Sequence, residues 1–316
     1  MTRNVTLLAG GVGGAKMAEG FAALPDVHLT VIGNIADDDT FHGLWVSPDI
    51  DTLTYTLSGL INRKQGWGVA DDGRRALDVL GRLGSETWMF LGDRDFGLHI
   101  YRTERRRRGD RPSDIARDVA KAFGVTARIV LPTDDQVQTR VRTDAGWLRF
   151  QEYFVREQCR PDIRDLRYDG IGDAKPTQEA IDALKTAELV VIAPSNPLVS
   201  IRPILEVKGI AEAVQSAAAP VIAVSPLVAG RVVKGPADRM MRALGFRVDA
   251  VGVAEFYAGL ADTILIDSAD EALSAEVERT GVRAIATDIM MPELEDKRRL
   301  ASEILECAFT PRSEIA

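Results

Sequence analysis

The chain has 316 residues, of which 46% are hydrophobic and 27% are charged, and its net charge at pH 7 is −8. This composition is typical of a soluble globular protein with a substantial core. No apolar stretch approaches the roughly 20 residues needed to cross a bilayer, so we expect no membrane association. The acidic balance argues against nucleic-acid binding.

Two further features of composition limit the class of protein. The only cysteines, Cys159 and Cys307, are far apart, which argues against disulfide scaffolding and against a cysteine metal site. The first residues lead directly into a predicted strand, leaving no room for the apolar region of a signal peptide. We therefore expect a cytoplasmic protein.

The first predicted element is a strand over residues 5–9 that ends in a glycine-rich loop. Its four glycines are Gly10, Gly11, Gly13 and Gly14. Glycine lets the backbone adopt φ > 0 and bring N–H groups close to an anion, and a helix starting here would add its own N–H groups. Lys16 falls in the first turn of that helix, where a cation is unfavourable unless an anion lies nearby. The loop therefore predicts a phosphate site.

The loop matches neither standard nucleotide fingerprint. A dinucleotide motif starting at Gly11 would need glycine in place of Lys16, and a Walker A motif starting at Gly10 would need serine or threonine in place of Met17. A tight turn without a ligand is the alternative interpretation. The position after the first strand, where open α/β sheets bind ligands, favours the phosphate site.

Five aspartates follow the second predicted strand, which covers residues 28–33. They are Asp37, Asp38, Asp39, Asp49 and Asp51. Carboxylates suit Mg²⁺, which usually takes one or two of them and completes its shell with water and substrate phosphate. The cluster predicts a magnesium site beside the phosphate loop. Alternatively, Asp49 or Asp51 caps the helix predicted to begin near Thr52.

The chain between residues 34 and 175 changes in pattern. Three helical segments are predicted at 52–61, 73–83 and 112–123, followed by successive strands at 128–131, 138–142 and 147–154. This run of strands indicates an antiparallel hairpin region inserted into the sheet. Within this region Arg94, between two aspartates, could present its planar guanidinium to a phosphate or an aromatic ring, although surface ion pairs share this pattern. Trp67, between two glycines, is either a stacking surface or a packed loop anchor.

Apolar strands bounded by turns return after residue 175, at 189–193, 221–225, 248–251, 263–266 and 282–285. Continuous runs of this kind, separated by helices, indicate a parallel sheet covered on both faces. We predict an α/β fold with a doubly wound, mainly parallel Rossmann-like sheet formed by residues 1–50 and 176–316. Residues 51–175 would form a smaller, inserted α+β region.

Ser195 and Asn196 follow the strand at 189–193 and lie between two prolines, which restrict the backbone around them. Because the carboxyl ends of parallel strands meet at one edge, we expect these residues to share a crevice with the glycine loop. The sequence offers no Ser-His-Asp or Cys-His arrangement, so covalent nucleophilic catalysis is not indicated.

Several motifs, in order along most of the chain, resemble one known family. They are the glycine loop at 8–15, Asn-Ile-Ala-Asp-Asp at 34–38, Ser-Pro-Asp-Ile-Asp-Thr at 47–52, Gly-Trp-Gly at 66–68, Leu-Gly-Asp-Arg-Asp at 91–95, Pro-Thr-Asp-Asp at 132–135, Phe-Gln-Glu-Tyr at 150–153, Ala-Pro-Ser-Asn-Pro at 193–197 and Ser-Pro-Leu at 225–227. The chain resembles the 2-phospho-L-lactate transferase family, which builds the deazaflavin coenzyme F-420. One departure is Asp39, an extra acid after the Asp37-Asp38 pair.

The resemblance implies a Mg²⁺-dependent transfer from lactyl- or enolpyruvyl-diphosphoguanosine to the deazaflavin alcohol Fo, with release of GMP. A homodimer is also expected. By similarity, the catalytic residues would be Asp49, Asp51 and Arg94. The metal would be held by Asp37, Asp38, Asp49 and Asp51. The deazaflavin would contact Asp49, Thr52, Trp67 and Arg94. The donor nucleotide would contact Gly10, Gly11, Val12, Gly13, Gly14, Lys16, Ser195 and Asn196. Which aspartates bind metal, and whether one is a general base, stays open.

Two other functions compete with this interpretation. The related, non-enzymatic gluconeogenesis-factor family binds a sugar nucleotide, but its glycine- and serine-rich loop after the acidic pair is not reproduced by residues 40–43. A nicotinamide-dependent oxidoreductase is disfavoured because Asn34 stands where a ribose-binding acid is expected near the end of the second strand.

Overall fold

The structure is a computed structural model that describes residues 2–309. Its strands are β1 (Arg3–Ala9), β2 (Val27–Gly33), β3 (Asp39–Phe41), β4 (Leu44–Val46), β5 (Arg128–Val130), β6 (Gln138–Thr143), β7 (Gly146–Arg149), β8 (Asp165–Asp169), β9 (Leu189–Ile192), β10 (Val221–Val224), β11 (Leu227–Val228), β12 (Arg231–Val232), β13 (Thr263–Asp267) and β14 (Arg283–Thr287). Its helices are α1 (Gly11–Ala22), α2 (Pro48–Leu57), α3 (Arg75–Arg82), α4 (Asp93–Arg107), α5 (Pro112–Ala122), α6 (Gln178–Thr186), α7 (Arg202–Leu205), α8 (Ile210–Gln215), α9 (Ala237–Ala243), α10 (Ala250–Tyr257), α11 (Ser274–Glu278) and α12 (Leu294–Phe309).

A seven-stranded parallel sheet forms the centre of the molecule, in the order β14-β13-β10-β9-β1-β2-β5. From β1 the chain proceeds outward through β2 to β5, and then returns to β9 on the other side of β1. The strand order therefore reverses between β1 and β9. In open α/β sheets, the crevice outside the carboxyl ends of the strands at this switch point is the usual ligand site. The predicted α/β fold is confirmed.

Apolar side chains fill two layers, one on each face of this sheet. Alternate residues of β1 enter opposite layers: Leu8 packs in one, and Leu7 and Ala9 pack in the other. This alternation follows from the strand period of two. Helices on both faces complete the layers, so the strands read as continuous apolar runs. No helix among residues 2–309 has the length and apolar character that crossing a membrane requires.

The region between the two parts of the sheet contains helices α2 to α5 and a small antiparallel sheet ordered β7-β6-β8. The prediction that residues 128–131 belong to the antiparallel run is wrong, because β5 pairs in parallel with β2. The predicted strand at 147–154 ends at Arg149 and is followed by a π-helical turn, Glu152–Arg156. A short hairpin, β3–β4, holds part of the aspartate-rich segment.

The predicted strand at 248–251 is also wrong, since helix α10 begins within it, at Ala250. The Asp249 carboxylate accepts a hydrogen bond of 3.0 Å from the backbone N–H of Gly252, which caps the helix. A short apolar run has the same composition in a buried helix and in a buried strand. The capping aspartate is the local signal that distinguishes the two.

Candidate active site

The glycine loop and the segment after β9 meet at the switch point of the sheet. The Ser195 hydroxyl donates to the Gly10 carbonyl at 2.7 Å and accepts from the Gly10 N–H at 3.3 Å. Ser195 is buried. The expected meeting of these two strand ends is thus observed, and the hydroxyl joins the ends of β1 and β9.

Close packing explains much of the glycine content of the loop. A Cβ at Gly10 would lie 2.6 Å from Asp49 Oδ2, and one at Gly14 would lie 2.9 Å from Ser195 Oγ. A Cβ at Gly13 would come closer than 3.0 Å to the Pro194 carbonyl oxygen. Gly11 differs, because it has φ +61° and open space around its Cβ position. The backbone of the loop therefore packs against Asp49 at Gly10, whereas no atom from elsewhere in the described part of the chain lies within 4 Å of the Cβ position at Gly11.

Asp49 lies in the first turn of α2, where Asn34 at the end of β2 holds it. Asn34 Nδ2 donates to Asp49 Oδ2 at 2.9 Å and to the Val199 carbonyl at 3.1 Å. Burial raises the pKa of Asp49, whereas the hydrogen bond from Asn34 lowers it. Asn34 was absent from the predicted site residues, although it begins the Asn-Ile-Ala-Asp-Asp motif.

Asp37 is buried, and its Oδ1 has no hydrogen-bond partner among the described residues. Burial, followed by the negative charge of Asp49, raises the pKa of Asp37 well above its ordinary range. Two buried carboxylates that repel each other, one with a free oxygen, fit a divalent cation. The donor set of Asp37 and Asp49 matches the one or two carboxylates that Mg²⁺ ordinarily takes.

The structure does not gather all four aspartates predicted as metal ligands. Nowhere in residues 2–309 do three or more His, Cys, Asp or Glu side chains form a group that could hold a metal ion. Asp38 Oδ2 accepts from Ser47 Oγ at 2.7 Å and from Trp45 Nε1 at 3.0 Å, whereas its Oδ1, like that of Asp37, has no partner among the described residues. Burial raises the pKa of Asp38 to about 7. The extra acid, Asp39, pairs with Arg149 at 3.2 Å.

Asp51 forms a buried, bidentate ion pair with Arg102 of α4. Arg102 Nη1 lies 3.1 Å from Asp51 Oδ2, and Nη2 binds Oδ1. His99 Nδ1 lies 3.8 Å from the same carboxylate, and burial lowers the pKa of His99 to about 3, which keeps the ring neutral at pH 7. Sequence reasoning missed Arg102 and His99, because no local pattern links either residue to the distant Asp51.

The residues predicted to bind the deazaflavin lie on α2 and around the loop at 66–72. Arg94 is exposed, and its Nη1 donates to the Ala70 carbonyl at 3.3 Å. Neither neighbouring aspartate holds Arg94: Asp93 pairs with Arg75 at 3.1 Å and Asp95 accepts from the Tyr55 hydroxyl at 2.7 Å. Trp67 is 41% exposed and lies edge-on to Phe90. The Thr52 hydroxyl donates to the Pro48 carbonyl within α2.

Two further residues predicted to bind the nucleotide are Lys16 and Asn196. Lys16 is half-buried on α1, and its pKa is lowered by burial and then by the positive charges of Lys297 and Lys234. Asn196 Oδ1 accepts from the Leu198 N–H at 3.0 Å, which begins the π-helical turn Pro197–Ile201. Asn196 therefore has a structural role, and Lys16 lies in a cationic environment.

This fold and this site define a class: a doubly wound α/β protein with a polar crevice, lined by a glycine loop and two buried carboxylates, at the switch point of its sheet. Comparison with known proteins gives the family. The family described as 2-phospho-L-lactate transferase CofD matches residues 5–306, and the chain belongs to it. The protein is therefore a transferase, and the resemblance drawn from the motifs is confirmed.

Among the relatives that match almost the whole chain, two names are found. A protein from Methanopyrus kandleri named 2-phospho-L-lactate transferase is 37% identical, over 96% of this chain and 97% of its own. A protein from Streptomyces griseus named phosphoenolpyruvate transferase is 38% identical, over 98% and 99%. A crystal structure of protein BH3568 from Bacillus halodurans has a TM-score of 0.64 at 17% identity, covering 97% of this chain and all of that one, which supports the fold alone.

Proposed function

We propose that the protein transfers a phospholactyl or phosphoenolpyruvyl group from a diphosphoguanosine donor to the ribityl hydroxyl of the deazaflavin Fo, releasing GMP in the biosynthesis of coenzyme F-420. The observation that carries the proposal is the contact between the phosphate loop and Asp49. The Asp49 carboxylate abuts Gly10, and the second buried carboxylate, Asp37, interacts with it. A phosphate on this loop would thus lie beside two acids suited to Mg²⁺.

The reaction requires positioning and charge neutralisation more than covalent chemistry. The acceptor oxygen forms a bond to the distal phosphorus of the donor, and the bond between that phosphorus and the bridging oxygen breaks. GMP leaves with the bridging oxygen, and the acceptor hydroxyl releases its proton. Asp37 and Asp49 would hold Mg²⁺, which supplies neutralisation of the phosphate charge when bound. The N–H groups around Gly11 would orient the diphosphate.

The other predicted site residues take supporting roles in this proposal. Arg102 engages both oxygens of Asp51, so we assign Asp51 to positioning α2 rather than to the metal. Asp38 is held through its Oδ2 by Ser47, the residue before α2, and by Trp45, and we assign it to the same role. Trp67 and Arg94 are exposed and free to contact a flat, polar acceptor. We retain both, together with Thr52, as the proposed deazaflavin contacts.

The test is an assay of GMP release with the purified protein. Fo, Mg²⁺ and one donor are mixed, the donor being lactyl-, enolpyruvyl- or glyceryl-diphosphoguanosine, and GMP and the phosphorylated deazaflavin are measured by liquid chromatography. We expect release with at least one donor, and loss of release on chelation of Mg²⁺. Binding of a sugar nucleotide with no GMP release from any donor would instead favour the regulator. Light scattering tests the proposed homodimer, and fractionation of the source cells tests the proposed cytoplasmic location.

A further inference from the structure

Two segments from elsewhere in the chain meet beside Val12 of the glycine loop. The loop at 62–68 lies against it, because a Cβ at Gly66 would be 2.9 Å from Val12 Cγ1. The same Cβ position is 3.2 Å from the ammonium of Lys234, which follows β12. Lys234 Nζ donates to the Gln65 carbonyl and so crosses from the β11–β12 hairpin to the loop. Its ammonium is thereby held within a short distance of Val12.

Two of the lysines around this point lack an acidic partner. Lys297 is buried and pairs with Glu19 at 2.7 Å, and Glu19 also pairs with Arg63. Lys16 and Lys234, in contrast, have no carboxylate within 4.0 Å among the described residues. Their positive charges act on each other, and Glu19 and Glu293 offset the charge at Lys16 only in part. Two ammonium groups without a carboxylate partner at ion-pair distance, on either side of the glycine loop's contact with residues 62–68, are suited to a polyvalent anion.

We propose that Lys16 and Lys234 together bind the diphosphate of the nucleotide donor, with Lys234 brought to the glycine loop by its contact with Gln65. This inference rests on the proposed function for the identity of the anion. The Gln65 carbonyl occupies one of the three N–H donors of the Lys234 ammonium, which leaves two for phosphate oxygens. Lys16 approaches from α1, so the two lysines contact the diphosphate from different elements of the fold.

Isothermal titration with GDP and Mg²⁺ tests the inference, because GDP carries the diphosphate without the transferred group. We expect Lys234→Met to weaken GDP binding about tenfold or more, since a hydrogen bond between charged groups is lost. Lys234→Arg, which keeps the charge, should restore most of the affinity. The matched control is Lys208→Met, at an exposed lysine on the turn between α7 and α8, and it should bind GDP as the wild type does.

Two results would overturn the inference: GDP affinity of Lys234→Met within twofold of the wild type, or an equal loss in Lys208→Met, which would indicate a nonspecific charge effect. The GMP-release assay separates this outcome from failure of the proposed function. If the wild type releases GMP but Lys234→Met binds GDP as tightly as the wild type does, the reaction is supported and the role of the lysine pair is rejected. In that assay, Lys234→Met should raise the KM for the donor more than the KM for Fo.

Discussion

Asp49 is the residue at which the glycine loop, the second strand and α2 meet. It contacts Gly10, accepts a hydrogen bond from Asn34 and repels Asp37. We expect Asp49→Asn to lower GMP release by roughly a hundredfold or more, because an important electrostatic contact to the transferring group is lost. The amide fills the same space, so the fold should be retained. Turnover is measured by chromatography, and folding by circular dichroism.

The free energy of unfolding gives a second measurement on the same variant. Because Asp49→Asn removes one of two repelling buried charges, the metal-free variant should be as stable as the wild type or more stable. The control is Asp144→Asn, an exposed acid on the β6–β7 turn. Turnover of Asp49→Asn within threefold of the wild type would reject the metal assignment.

Arg102 illustrates the opposite case, in which a buried charge is matched by its partner. Arg102→Met would leave Asp51 buried without a counter-charge, at a cost of about 3–5 kcal/mol in the free energy of unfolding. Urea denaturation measures this cost. The double variant with Asp51→Asn should lose less than the sum of the two single changes, because the charges are coupled. Arg82→Met, at an exposed arginine of α3, is the control and should cost little. Additive losses would contradict the coupling.

At the scale of elements, α1 is held between the sheet and α12 by a close helix contact. A Cβ at Gly20 of α1 would come closer than 3.0 Å to the Lys297 carbonyl oxygen of α12. The backbones can approach this closely only because Gly20 lacks a side chain. Lys297 and Glu19 form a buried ion pair beside the same contact. Since α1 begins at the glycine loop, the position of α12 bears on the geometry of the site.

Gly20→Ala should therefore destabilise the protein by about 1–3 kcal/mol, because the two helices must separate. Gly97→Ala in α4 is a matched substitution, since Gly97 is exposed and has no atom within 4 Å of its Cβ position. There, alanine should stabilise the protein by up to about 1 kcal/mol through helix propensity. Chemical denaturation of both variants measures the difference. Equal effects of the two substitutions would contradict the proposed role of the α1–α12 contact.

At the scale of the whole molecule, the sequence predicted features that depend on local pattern and not those that depend on distant partners. The apolar runs of β1, β2, β9, β10, β13 and β14 are visible because both faces of the sheet are buried. The meeting of Gly10 with Ser195 follows from strand ends sharing one edge. The sequence does not predict which aspartates form ion pairs. Asp51 pairs with Arg102 and Asp39 pairs with Arg149, and both arginines are far away in sequence.

We expect the buried acids to make the stability of the whole molecule depend on pH and, if the proposed metal binds, on Mg²⁺. Burial raises the pKa of Asp38 from 3.8 to about 7 and raises the pKa values of Asp37 and Asp49 as well. Between pH 3.8 and about pH 7, the folded state therefore binds more protons than the unfolded state, and the free energy of unfolding falls as pH rises. In the presence of a chelator, we expect the melting temperature to decrease between pH 5 and about pH 7, and Asp38→Asn to reduce that decrease.

Mg²⁺ requires ionised carboxylates, so the increase in melting temperature on adding Mg²⁺ should become larger as pH rises over the same interval. A melting temperature that rises with pH in chelator, in both proteins alike, would contradict the protonated state of these acids.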